Sequence, residues 1–189
     1  MVLMPLKRLF LCLLLPALAG ISHLCIASPI TGRVVGVADG DTLTILDNTQ
    51  SQHKVRIGGI DAPERRQPFG ARSKKSLSEL AFNEHVIADC PKKDRYGRWV
   101  CKVTVGGVDV GLTQIQRGMA WWYEKYRSEQ VAGDQATYSY AQSEARRMAI
   151  GLWSEPLPMP PWDYRKSTRA PKNPHRDTDI QSSVIRSAH

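Results

Sequence analysis

The chain opens on one apolar run, then settles into short β-branched segments parted by polar turns, and later into segments with apolar residues at helical spacing. Residues 30–37 alternate poorly but are rich in β-branched side chains. Gly32 and Gly36 interrupt them, which predicts the curved first strand of a barrel. Residues 42–46, the polar turn Asp47-Asn48 and residues 53–60 extend this into a three-strand meander. Past Pro63 comes the charged loop Arg65-Arg66-Gln67-Pro68. Ala71, Leu77, Leu80 and Ala81 then recur at helical spacing and predict a first helix over 69–83. Arg72, Lys74 and Lys75 on its polar side read as a solvated face rather than a nucleic-acid contact. Residues 85–89 and 99–105 read as the fourth and fifth strands. Val110, Leu112, Ile115 and Met119 suggest a short second helix stopped by Gly118. A third helix is expected over 134–150, with Tyr138, Ala141, Ala145 and Met148 on one stripe and Gly151 at its end. Trp121 and Trp122 between these two helices read as packing residues.

The two ends differ in character from this middle. Lys7 and Arg8 precede an apolar run over 9–21, and Cys25-Ile26-Ala27 offers a small residue before Ser28, so residues 1–27 read as a secretory signal. The competing reading is an uncleaved membrane anchor, since the apolar run approaches spanning length. At the other end, Pro156, Pro158, Pro160 and Pro161 leave little room for helix or ladder. Residues 154–162 read as an extension strapped to the domain by Leu157, Met159 and Trp162. Residues 163–189 are mostly polar and basic and are expected to form a disordered tail. With 189 residues and 42% hydrophobic content, what remains is one globular domain, expected over 28–153.

The formal charge is +8, which favours polyanions as partners without identifying one. Cysteine usage changes the picture more. Cys12 and Cys25 lie in the export segment, so only Cys90 and Cys101 remain in the body of the chain, on expected neighbouring strands. They are read as a cross-strand disulfide of an oxidising compartment or as two small buried thiols.

The candidate chemistry is concentrated in Asp39-Gly40-Asp41-Thr42 and Arg56-Ile57-Gly58-Gly59-Ile60-Asp61-Ala62-Pro63-Glu64. An antiparallel pair would let Asp41 and Asp61 face each other across the ladder. Pro63 pushes Ala62 toward an extended conformation and aims its carbonyl, so the set offers oxygen ligands suited to Ca²⁺ or Mg²⁺. Either motif alone is also ordinary turn chemistry. A second cluster, Lys92-Lys93-Asp94-Arg95-Tyr96-Gly97-Arg98, carries four bases and an aromatic ring. Arg56 and Arg98 together can clamp a phosphate bidentately, and Tyr96 can stack on a base or sugar. His53, His85, His175 and His189 show no ligand spacing.

These motifs, with Gly118-Met119-Ala120 and Gly151-Leu152-Trp153, stand in the order and approximate spacing of the staphylococcal nuclease family, which the chain resembles over residues 30–153. The resemblance implies an α+β fold, a five-stranded OB-type β-barrel with three α-helices. It implies calcium-dependent hydrolysis of DNA and/or RNA, endonucleolytic, leaving 3′-phosphate ends. Asp41, Asp61 and the Ala62 carbonyl would hold the ion, Arg56, Glu64 and Arg98 would be catalytic, and Arg95, Tyr96 and Tyr126 would touch substrate. Position 62 departs from the best-known member, which has threonine there, and a backbone ligand survives that change. Glu124 stands where a second nucleotide-lining tyrosine would be expected. A monomer is expected, with no protein partner indicated, and an exported location, periplasmic or secreted, unless residues 1–27 anchor it to a membrane. Two other classes stay in view. One is a non-catalytic OB-fold module that binds nucleic acid, which predicts losses among the site residues, and none is lost. The other is a membrane-tethered accessory protein with a relic site.

Overall fold

The computed structural model describes residues 28–169. Five strands close a barrel: β1 (Ile30–Val37), β2 (Thr42–Asp47), β3 (Gln52–Ile57), and, past a short strand β4 (Ile60–Asp61) and helix α1 (Gly70–Ala81), β5 (His85–Lys93) and β6 (Trp99–Val105). The order is β3-β2-β1-β5-β6, and β6 returns to pair with β3 in parallel, so no long edge is left open. A register shift between Val34 and Gly36 bends β1, as the glycine-broken pattern led one to expect. Inside lie Val34, Leu43, Ile45, Val55, Val86 and Val103, all essentially inaccessible to solvent. The expected OB-type barrel is therefore present.

The helices close its ends. After β7 (Val108–Asp109) comes α2 (Val110–Gln116), capped by the Asp109 carboxylate on the Leu112 N–H. Strand β8 (Trp121–Trp122), a 3₁₀ segment over Glu124–Glu129 and α3 (Ala132–Arg147) follow. α1 packs on the barrel through Leu77 and Ala81, as helical spacing predicts, and through two serines that this spacing does not mark. Ser73, Ser76, Leu77 and Ala81 are buried, whereas Ala71 is exposed. Ser76 donates to Gln114, and Gln114 donates to the carbonyls of Gly40 and Ser73, so a satisfied polar network accompanies the apolar contact. A Cβ at Gly40 would lie 1.8 Å from Ser73 Oγ. Only glycine lets the Asp39–Asp41 loop lie this close to α1.

A second cluster joins Trp121, Ala145, Leu152 and Trp153. Gly118 and Gly151 read as helix stops, and both have positive φ; a Cβ at Gly118 would lie 2.1 Å from the Ile150 carbonyl oxygen. Their backbones touch, with Leu152 N–H donating to Gly118 at 2.9 Å. Trp121 packs as expected, its ring 4.3 Å from that of Trp153, while Met148 lies outside the buried stripe of α3.

Three expectations are corrected. The strand read over 53–60 breaks at Gly58-Gly59, so Asp61 does not face Asp41 across the meander. It sits in the separate β4–β8 ladder opposite Trp121. Leu157 is 92% exposed and straps nothing. The chain after the prolines is not disordered from 163: residues Pro161–Arg169 form a fourth helix, α4. Pro161 stands at its start, where a missing N–H costs nothing, and the amides of Asp163 and Tyr164 both donate to the Pro160 carbonyl. Asp163 in the first turn and Lys166 and Arg169 in the last suit the helix dipole. Trp162 stacks on Tyr123, centroids 5.3 Å apart and planes within 1°, and meets Trp121 edge-on, which fastens α4 to the domain. Residues 1–27 and 170–189, with the expected signal or anchor and the rest of the tail, lie outside the described residues. Among the described residues no helix is long and apolar enough to cross a membrane.

Candidate active site

Where β2 begins and β3 ends, the ladder pairs Thr42 with Arg56, and the Ile57 amide donates to the Asp41 carbonyl. This register puts Arg56 directly beside Asp41. Nη1 donates to Asp41 Oδ2 at 2.5 Å, while Nη2 donates to Asp61 Oδ1 and to the Ile60 carbonyl, each at 3.1 Å. Arg56 thus bridges two carboxylates that are 4% and 1% exposed. The remaining acceptors of Asp41 are used locally, by the Ala62 amide on Oδ2 and the Thr42 hydroxyl on Oδ1. Burial works against the charge of Asp41, but the guanidinium of Arg56 and these hydrogen bonds outweigh it and hold the carboxyl below its ordinary range. Burial likewise opposes the charge of Arg56, and the two carboxylates reverse that and raise its pKa.

Glu64 is fixed at its backbone, while its side chain is 40% exposed. Its amide donates to Gln67 Oε1, its carbonyl accepts from the Gln67 amide, and Gln67 in turn donates to the Met159 carbonyl. Arg98 comes from the β5–β6 turn. Asp94 holds its Nε at 2.8 Å, and Nη1 reaches Thr42 Oγ1 at 3.5 Å, next to Asp41. Cys90 and Cys101 are joined by a disulfide between these two strands. The Tyr96 ring, 64% exposed, lies under the guanidinium groups of Arg95 and Arg98.

The charged side chains among them, with Tyr96, line one cleft of about 740 Å³. Asp41, Arg56, Asp61, Ala62, Glu64 and Arg98 all line it. Arg95, Tyr96 and Tyr126 line it too. Tyr123, Lys92, Lys93 and Lys125 also line it, and sequence spacing did not single them out as site residues. The largest omission is Arg165 of α4. Its Nη2 donates to Asp61 Oδ2 at 2.7 Å, and its Nη1 donates to Glu64 Oε1 at 2.7 Å and Asp61 Oδ1 at 3.2 Å. The partners are 104 and 101 positions apart, and no periodicity or motif carries such a pairing.

The residues 54–155 match the family described as staphylococcal nuclease homologue. The chain is 38% identical over 139 residues to a protein of Haemophilus influenzae named an uncharacterized endonuclease, covering 74% of this chain and 75% of that one. It belongs to the staphylococcal nuclease family. A micrococcal nuclease of Shigella flexneri is 37% identical over 151 residues, 75% of this chain and 84% of its own. The staphylococcal-like nuclease CAN1 of Arabidopsis thaliana is 28% identical over 136 residues, 70% of this chain and 40% of its own. The protein is accordingly a nuclease, a hydrolase of nucleic acids, of a family that depends on a divalent metal ion.

The donor set fits such an ion. Asp41, Asp61 and the Ala62 carbonyl supply hard oxygen atoms only, which suits Ca²⁺ or Mg²⁺ and not zinc. Among the described residues no group of three or more His, Cys, Asp or Glu side chains could hold a metal, so an ion here would also need backbone or water ligands.

Asp39 adds a pH dependence. Burial, and then the Asp41 carboxylate beside it, push its carboxyl up to about 6. A raised folded-state pKa contributes stability below the unfolded value, and that contribution is lost as pH climbs through the folded one. Asp39→Asn keeps the oxygen that accepts the Asp41 amide. In chelator it is expected to match the wild type at about pH 4 and to gain on it steadily towards about pH 7. Melting curves across that range check this; a constant difference would remove Asp39 as the source.

Proposed function

We propose that the protein is an exported, calcium-dependent endonuclease that hydrolyses DNA and/or RNA to products ending in 3′-phosphate. The observation that carries this reading is the convergence of β2, β3, β4 and the β5–β6 turn on one cleft, with paired carboxylates, two guanidinium groups and a half-exposed carboxylate. Asp41, Asp61 and the Ala62 carbonyl would hold Ca²⁺, which supplies Lewis-acid stabilisation of the charge that develops on phosphate oxygens. Arg56 and Arg98 donate to the same oxygens and neutralise the five-coordinate transition state. Glu64 orients or deprotonates the attacking water. The water oxygen bonds to phosphorus as the bond to the 5′ oxygen breaks; the phosphate stays on the 3′ side, and the 5′ oxygen takes a proton from solvent and leaves as a hydroxyl. Arg95, Tyr96 and Tyr126 would receive the flanking strand, with Lys92, Lys93 and Lys125 adding salt-sensitive affinity for its backbone. Export is supported by the basic residues Lys7 and Arg8 ahead of an apolar run, and by the Cys90–Cys101 disulfide, which suits an oxidising compartment.

Incubating the purified protein with supercoiled plasmid and with RNA, in Ca²⁺, in Mg²⁺ or in chelator, tests the reading. Cutting is expected with Ca²⁺ and none with chelator, and product ends should resist extension by a polymerase until a phosphatase removes the 3′-phosphate. Equal cutting in chelator would end the metal reading, and no cutting at all would end the catalytic one.

A further inference from the structure

Arg165 occupies the Asp61 carboxylate that a divalent ion would use. A carboxylate offers about four lone-pair sites. On Asp61, Oδ1 already accepts from Arg56 and Arg165, and Oδ2 accepts from Arg165. A divalent ion on this residue would meet both a shortage of lone pairs and a cation in van der Waals range of them. The strength of the contact lies on the Asp61 side. That carboxylate is 1% exposed and the pairing is bidentate, whereas the Glu64 side chain is 40% exposed and solvent screens it.

The mounting of the residue matters equally. The start of α4 is pinned: Pro161 is buried, Trp162 stacks on Tyr123, and Gln67 donates to the Met159 carbonyl. Arg165 sits one turn further on, and the helix beyond it is exposed. The guanidinium can therefore leave Asp61 by side-chain rotation while α4 stays docked. The cleft that Arg165 lines also carries Lys92, Lys93 and Arg95.

We infer that Arg165 is a built-in competitor of the divalent cation: it neutralises Asp61 and Glu64 in the ion-free protein, and ion binding must displace it. This rests on the reading of Asp41 and Asp61 as ion ligands. Arg165 thereby sets the threshold ion concentration of the enzyme and protects two clustered carboxylates from mutual repulsion below that threshold.

Calorimetric titration of the full chain with Ca²⁺, beside Arg165→Ala and Arg165→Gln, tests it, with thermal melts of each in chelator. Removing the competitor should tighten Ca²⁺ binding by about tenfold or more, within the usual range of couplings between sites. In chelator both variants should melt below the wild type, and Ca²⁺ should raise their melting temperatures by more than it raises that of the wild type. Arg165→Gln keeps most of the stem packing and guards against a folding defect in the alanine variant. Unchanged or weaker Ca²⁺ affinity in the variants, with metal-dependent cutting by the wild type intact, would overturn the competitor role alone. Absence of both Ca²⁺ binding and cutting in every form would overturn the ion reading of the site, and this inference with it.

Discussion

Arg56→Ala is expected to cost the protein both its activity and a large part of its stability. The side chain is 17% exposed and lies between Asp41 and Asp61, donating to each. Removing it leaves two buried carboxylates facing an empty space, and the loss of one partner from a buried ion pair destabilises by about 3–5 kcal/mol. Arg165 still covers Asp61, so the lower end of that range applies in the ion-free protein. Ca²⁺ brings back positive charge at the same place and should recover a good part of the loss, more than it adds to the wild type. The phosphate meanwhile loses a fixed donor, which by itself is worth about 10² to 10³-fold in rate. Urea melts with and without Ca²⁺, beside turnover on a short single strand, give both numbers. Stability within about 1 kcal/mol of the wild type in chelator would show that Arg56 does not hold the carboxylates together.

The parts of this site that could be read from the sequence are those set by local rules. The β-branched runs and glycine breaks place β1, β2, β3 and β6. The register that follows from them puts Arg56 against Thr42, and hence against Asp41. Asp61 reaches the same place by a route no strand pattern shows: a turn at Gly58-Gly59, then a two-residue ladder with Trp121 and Trp122 that is too short to leave a period. The polar contacts of Ser73, Ser76 and Gln114 were invisible for another reason, since a buried network satisfied internally looks in sequence like a solvated face. α4 was hidden by its prolines, which terminate a helix from within but start one at its first turn. With the helix went Arg165, and so the ion pair that spans the cleft. His53 pairs with Asp47 at the far end of β2, away from the cleft.

Glu64→Gln separates chemistry from architecture. The backbone of residue 64 is held by Gln67 on both sides, so its conformation does not depend on the side chain. The one side-chain partner is Arg165, at a site 40% exposed, where an ion pair contributes little to stability. The variant should therefore melt close to the wild type and bind nucleic acid with similar affinity. Glutamine can accept a hydrogen bond from water but cannot take its proton, and it offers no negative charge to orient the attack. Turnover should fall by about 10² to 10⁴-fold, with kcat carrying the loss and KM nearly unchanged, the signature of an interaction made in the transition state. Steady-state cutting of a short labelled strand at saturating Ca²⁺ measures the split. A loss carried by KM would turn Glu64 into a substrate-binding group. Near-normal turnover would mean that water reaches the phosphate without it, and would leave Arg56 and Arg98, with the paired aspartates, as the whole of the catalytic machinery.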